Sequence, residues 1–137
     1  MSRSGYSDDC GGWPLIRWRG AVNAAIKGAR GQAFLRELAA ALDAMPEKRL
    51  IANELRSADG EFCTLGVLGA VRGIEMSKLD PDDRDSVAAA FGIAPALAAE
   101  IVFENDDACW YDEKPEARWG RMRQWVESNL KDEDHAK

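Results

Sequence analysis

The sequence predicts a mainly α-helical fold, a compact single-domain bundle of about six short helices. Two observations carry this. Apolar residues recur at three- and four-residue spacing along most of the chain, and the segments between them are short and hold the Gly, Pro and Asp that open and close helices. The length of 137 residues suits one domain that buries a core without disulfide or metal staples. A composition of 46% hydrophobic and 31% charged residues is globular rather than disordered. Ala and Gly hold much of the apolar share, so the core must lean on five Trp, four Phe and the branched aliphatics.

Residues 1–13, rich in Ser, Gly and Asp, read as a flexible N-terminal arm before a helical domain over 14–130. Pro14 suits a first helical turn, and Leu15, Trp18, Val22 and Ile26 keep one face until Gly28. A Gly-Ala-Arg-Gly link leads to a second helix with Phe34, Leu35, Leu38, Leu42 and Met45 in a stripe closed by Pro46. A third, shorter helix is expected around 47–57, burying Leu50, Ile51 and Leu55. After the turn at 57–60, Phe62 to Leu68 fits a buried helix or a short strand. Helix is preferred, because Val67, Leu68 and Val71 keep helical spacing, Gly66 and Gly69 admit a close neighbour, and Gly73 ends the element. Asp80-Pro81-Asp82-Asp83 reads as a helix start and Gly92 as its end. Ala94-Pro95 opens a helix carrying Leu97, Ile101 and Val102. Lys114-Pro115 opens the last, with Trp119, Met122, Trp125 and Val126 on one face, before a charged tail at 131–137.

Cys10, Cys63 and Cys109 form no CxxC pair, so neither a disulfide framework nor a zinc site is indicated, and no cofactor is implied. No leader pattern and no long apolar run is present, which leads to the expectation of a cytoplasmic protein without membrane association. The net charge of -6 is unevenly spread: residues 14–49 carry a balance of +4 and residues 50–137 one of -9. Such a field steers charged partners.

Most catalytic sets are excluded by histidine usage, since the single His135 lies in the tail. Carboxylate-bound magnesium or calcium is the remaining metal option, but the acidic groups at 80–85 and 104–107 do not match a calcium loop, and no metal site is expected. Cys63 is the one weak catalytic candidate. A thiol at a helix start, with Gln32 and Asn105 available, has the parts of a papain-like site except a base, and Asp106 is a poor one; a buried inert cysteine is the competing reading and the preferred one. The basic helix start with Lys27, Arg30, Gly31 and Gln32 is arranged for a phosphate-like anion, set against a merely solvated cationic face. Trp18 between Arg17 and Arg19 fits stacking on a base, although its spacing places it in the core. Asp82, Asp83, Glu104, Asp106 and Asp107 are candidates for a partner-binding face, set against capping and solvation.

The order Trp18, Gly31-Gln32 before a Leu-rich helix, Cys63-x-Leu65-Gly66-Val67-Leu68, then Asn105-Asp106 before a final amphipathic helix resembles a group of small phage and prophage proteins marked by a Cys-x-Leu-Gly segment and a later Asn-Asp. The chain departs from that group in its Glu-Ala-Arg-Trp final helix and its longer N-terminal arm. The resemblance implies a phage-related context and transfers no catalytic residue. Three functions stand at this point. The first is a non-enzymatic accessory protein that binds and inhibits a host protein or nucleoprotein complex, such as a defence complex in the manner of an anti-CRISPR protein. The second is a nucleotide or small-anion binder at Arg30, and the third a cysteine hydrolase using Cys63.

Overall fold

Six α-helices and one 3₁₀ turn make up the secondary structure of the computed structural model, which describes residues 13–107 and 112–131. Residues 1–12 of the arm expected over 1–13, and 132–137 of the tail expected over 131–137, with Cys10, Cys109 and His135, lie outside the described residues, as do the side chains of Leu15, Arg17 and Trp18; Trp13 begins a helix rather than ending the arm. The helices are α1 (Trp13–Lys27), α2 (Ala29–Asp43), α3 (Thr64–Arg72), α4 (Arg84–Phe91), α5 (Pro95–Asp106) and α6 (Pro115–Asn129), with the 3₁₀ turn at Met76–Lys78.

The α5 helix is the innermost. Ala96 to Val102 are all buried, including Glu100, and the helix meets α1, α3, α4 and α6. Its small and aliphatic run, interrupted only by Glu100, explains this, because a helix that is apolar on nearly all sides has little face to offer water. The α2 helix has the one-sided pattern instead: Phe34, Leu35, Leu38 and Leu42 are buried, and it lies between α1, α3 and α6. Phe34 meets Phe91 of α4 edge-on, with ring centroids 6.4 Å apart. Val22, Ile26, Met122 and Val126 close the core from α1 and α6, with Trp119 and Trp125 packed partly buried beside it.

Helix ends follow local chemistry. Gly73 and Gly92 take left-handed C-cap conformations, and Pro95 and Pro115 occupy the first turns of α5 and α6. The start of α4 differs from the sequence reading. Asp80 to Asp82 form a turn in which the Asp82 amide donates to Asp80 Oδ1 at 2.9 Å, and the cap is Asp83, whose carboxylate accepts from the Ser86 amide at 3.2 Å and the Ser86 hydroxyl at 2.8 Å.

The helix expected at 47–57 does not form. Leu50 and Leu55 are buried as anticipated, but the segment is irregular and its backbone groups bond elsewhere. The Leu50 amide donates to Pro115 O at 3.1 Å, the Ile51 amide to Phe62 O at 2.9 Å, and Leu55 O accepts from the Cys63 amide at 3.3 Å. Asn53 adopts φ +71, a left-handed conformation that no helix tolerates. Tertiary partners therefore outcompete the i to i−4 ladder that the apolar spacing suggests.

Candidate functional site

The residues with chemical capacity gather in two polar clamps and one surface cleft. The first clamp is centred on Asn105, near the end of α5 and 1% exposed. Its Oδ1 accepts from the Thr64 amide at 3.1 Å and the Thr64 hydroxyl at 2.8 Å, at the first residue of α3 and 41 positions away in sequence. Its Nδ2 donates to Ile51 O at 2.9 Å and to Asp106 Oδ1 at 2.7 Å. The same Asp106 oxygen accepts from the Asn53 amide at 3.1 Å. Asn105 thus fastens the irregular segment and the start of α3 to the end of α5.

Cys63 caps α3. It is 1% exposed, and its sulfur accepts the Gly66 amide at 3.4 Å. A Cβ at Gly66 would lie 1.8 Å from Leu55 O, so the segment before Cys63 rests directly on the helix backbone. The Cys-x-Leu-Gly and Asn-Asp segments, separate in sequence, therefore belong to one joint. Cys63 and Asn105 both take part in it, whereas Gln32 lies in the other clamp; no papain-like arrangement is assembled.

Sequence reading missed the cations that complete this joint. Arg118 Nε donates to Asn105 O at 2.9 Å, and Arg121 donates to Glu104 O at 2.5 Å and Asn105 O at 3.3 Å. These guanidinium groups lie at the negative end of the α5 dipole, where α5 supplies no basic residue of its own. Glu113 orients both, at 2.8 Å from Arg121 and 3.5 Å from Arg118, and Arg121 holds its carboxyl below the usual carboxylate range. The signal in the sequence was the three-residue spacing of Arg118 and Arg121 on the last helix, which puts both on one face.

The second clamp is Gln32, 3% exposed. Its Nε2 donates to Ile26 O at 2.8 Å and Asn129 O at 3.0 Å, and its Oε1 accepts from the Lys131 amide at 2.8 Å. Both amide protons are engaged, so Gln32 ties the ends of α1 and α6 together. Lys131, expected to begin the tail, is fixed here, with its ammonium on Lys27 O at 2.6 Å. The Lys27 side chain is exposed, and the Gln32 amide bonds to Gly28 O at 2.9 Å, so Gln32 offers no free amide to an anion and the free helix-start amides lie before it.

Arg30 and Gly31 line a cleft of about 200 Å³ between the α1–α2 junction and the start of α5, together with Ala24, Ala25, Ile93 and Leu97. Neither α2 nor α5 carries a side-chain cap, so two positive helix ends face this rim.

The acidic candidates are dispersed. Asp82 and Asp83 belong to the capping turn of α4; Glu104, Asp106 and Asp107 stand at the end of α5. The two helices are bent 105° from one another, and the two acidic groups stand at opposite ends of the bent pair. Among the described residues no group of three or more acidic, Cys or His side chains is placed to hold a metal, and no single helix is long and apolar enough to cross a membrane.

Glu104 is half-buried beside Glu100, whose own carboxylate, 3% exposed, receives Arg19 at 3.0 Å. Burial, and then the charge of Glu100, push the Glu104 carboxyl above its ordinary value. A carboxyl whose folded pKa exceeds its unfolded one contributes stability below the unfolded pKa and loses it as pH rises through the folded pKa. Glu104→Gln is therefore expected to raise the melting temperature at neutral pH, and the gain should shrink as the pH falls into and below the ordinary carboxylate range. A melting series across pH checks this, and a lower melting temperature at neutral pH would refute it.

Comparison with known proteins gives no matching family model, no matching curated protein and no matching solved structure.

Proposed function

We propose that the chain is a non-catalytic binding protein, a phage-type accessory factor that associates with a host protein or nucleoprotein complex and blocks it. One observation supports this reading above the others. The side chains with the chemistry for catalysis, Cys63, Gln32 and Asn105, are buried, and each bonds the backbone of its own scaffold. A buried thiol with no imidazole among the described residues is a poor nucleophile, so the hydrolase alternative loses its support. Function then falls to exposed side chains, among them Asp82, Asp83 and Asp107, which a basic partner surface complements.

The test is phage plating on bacteria that carry an active nucleic-acid-degrading defence system, with the chain expressed from a plasmid. Expression should restore plating of a targeted phage, Cys63→Ala should preserve the effect, and Asp82→Lys combined with Asp107→Lys should reduce it. Asp106 is excluded from the reversal because it holds the Asn53 amide. Loss of the effect in a folded Cys63→Ala variant, or no effect against any defence system tried, overturns the proposal.

A second reading, binding of a small anion at Arg30, draws on the cleft. Its volume of about 200 Å³ lies below the roughly 300–1,000 Å³ of sites that enclose cofactor-sized ligands, which favours a group smaller than a nucleotide.

A further inference from the structure

The cleft beside Arg30 has an apolar floor and a single charge. Ala24 and Ala25 of α1, Ile93 of the α4–α5 link and Leu97 of α5 supply methyl and methylene surface, and no lining residue is acidic. Arg30 makes no hydrogen bond or ion pair with any described residue, unlike Arg49, Arg72, Arg118, Arg121 and Arg123, each paired with a carboxylate. The occupant that complements this surface has an apolar group and an anionic group.

Size limits it further. The cleft is shallow and open to solvent on one side, with about 200 Å³ of space, so it seats one small apolar side chain while the anionic group lies beside Arg30. An internal acidic peptide carries its apolar side chain and its carboxylate on different residues, and a comparison of free acid with amide separates it from a chain terminus. A carboxyl-terminal apolar residue carries both groups on one α-carbon, and a planar guanidinium suits its carboxylate.

We propose that this cleft is a docking site for the carboxyl-terminal residue of a partner protein, an apolar residue whose side chain lies on Ala24, Ala25, Ile93 and Leu97 and whose carboxylate pairs with Arg30. The proposal rests on the binding-protein reading and names where one contact with the partner is made.

The experiment is fluorescence polarisation of the full chain with labelled pentapeptides ending in Leu, Val or Phe, each made as the free acid and as the amide. At least one free acid should bind with Kd of about 1 mM or tighter, and its amide about tenfold more weakly. Arg30→Gln, at an exposed position, should weaken the free acid by a similar factor, and Ala24→Phe should fill the cleft and abolish binding. Equal binding of acid and amide, no binding of any free acid up to about 1 mM, or an unchanged affinity in Arg30→Gln overturns the proposal. Displacement of the peptide by inorganic phosphate at the same concentration also overturns it, in favour of a small-anion site. If Ala24→Phe fails to fold, the acid-to-amide ratio and Arg30→Gln decide the matter. Failure here leaves the binding-protein reading to the plating assay, which does not depend on this cleft.

Discussion

Asn105→Leu is expected to lower the folding stability by about 3 kcal/mol or more, among the largest losses available to a single substitution in this chain. The replacement is close in volume and apolar, so packing alone predicts a mild effect. Hydrogen bonding predicts otherwise. The Thr64 amide and hydroxyl and the Ile51 carbonyl all lose their partner, and each buried group left unsatisfied costs about 1–3 kcal/mol. Because domains of this size are stable by roughly 5–15 kcal/mol, the variant should unfold at a much lower urea concentration or fail to accumulate. Asn105→Asp is the sharper control: it keeps the acceptor for Thr64 but replaces the donor to Ile51 O with a second acceptor, beside Asp106. It should lose stability at neutral pH and recover part of it on acidification, as one carboxyl of the pair takes a proton. Urea midpoints at two pH values measure both, and an Asn105→Leu midpoint within experimental error of the native one would refute the clamp.

The same residues show what was legible in the sequence. The helices were, because their signals are local: Gly73 and Gly92 at the ends, Pro95 and Pro115 at the starts, and apolar residues at helical spacing along α2. The stretch at 47–57 has the same spacing, yet Asn105, Arg118 and Pro115 claim its backbone groups, and none of these lies within 45 residues of it. Local pattern cannot register such distant competitors. The start of α4 moved from Asp80 to Asp83 for a finer reason, since the cluster offers several capping carboxylates and only Asp83 has Ser86 three residues ahead to complete the cap. Among candidate site residues, sequence reading singled out Cys63, Gln32 and Asn105 as the parts of a papain-like set, and Gln32 also as part of an anion site. That was a sound signal of constraint, but burial and hydrogen bonding assign the constraint to architecture. Arg30 was singled out for its helix start and lines a cleft; the apolar floor from Ile93 and Leu97 comes from the α4–α5 link and α5, more than 60 residues away, and left no local trace.

Gly66→Ala carries the second large expected effect, a loss of about 3 kcal/mol. Within a helix, replacing Gly by Ala ordinarily stabilises by roughly 0.5–1 kcal/mol, because it removes backbone freedom from the unfolded chain. At Gly66 that gain is overwhelmed: the new methyl would lie 1.8 Å from Leu55 O and 3.2 Å from the Phe62 Cβ, and the first of these is backbone. The Cys63 amide bonds to that same Leu55 carbonyl, so moving it also strains the cap of α3. Two other glycines separate the backbone clash from a general intolerance to added volume. A Cβ at Gly20 meets nothing within 4 Å, so Gly20→Ala in α1 should stabilise by the ordinary helical amount. A Cβ at Gly69 would meet the Met76 sulfur at 2.6 Å and the Phe91 ring at 3.2 Å, and the thioether end of a flexible side chain can swing away, so Gly69→Ala should fall between the two. Urea midpoints should therefore rank Gly20→Ala above the native chain, Gly69→Ala near or below it, and Gly66→Ala far below. A Gly66→Ala midpoint at or above that of Gly69→Ala would mean that the segment before Cys63 yields without cost, and the joint between the Cys-x-Leu-Gly and Asn-Asp segments would not be the rigid centre of this fold.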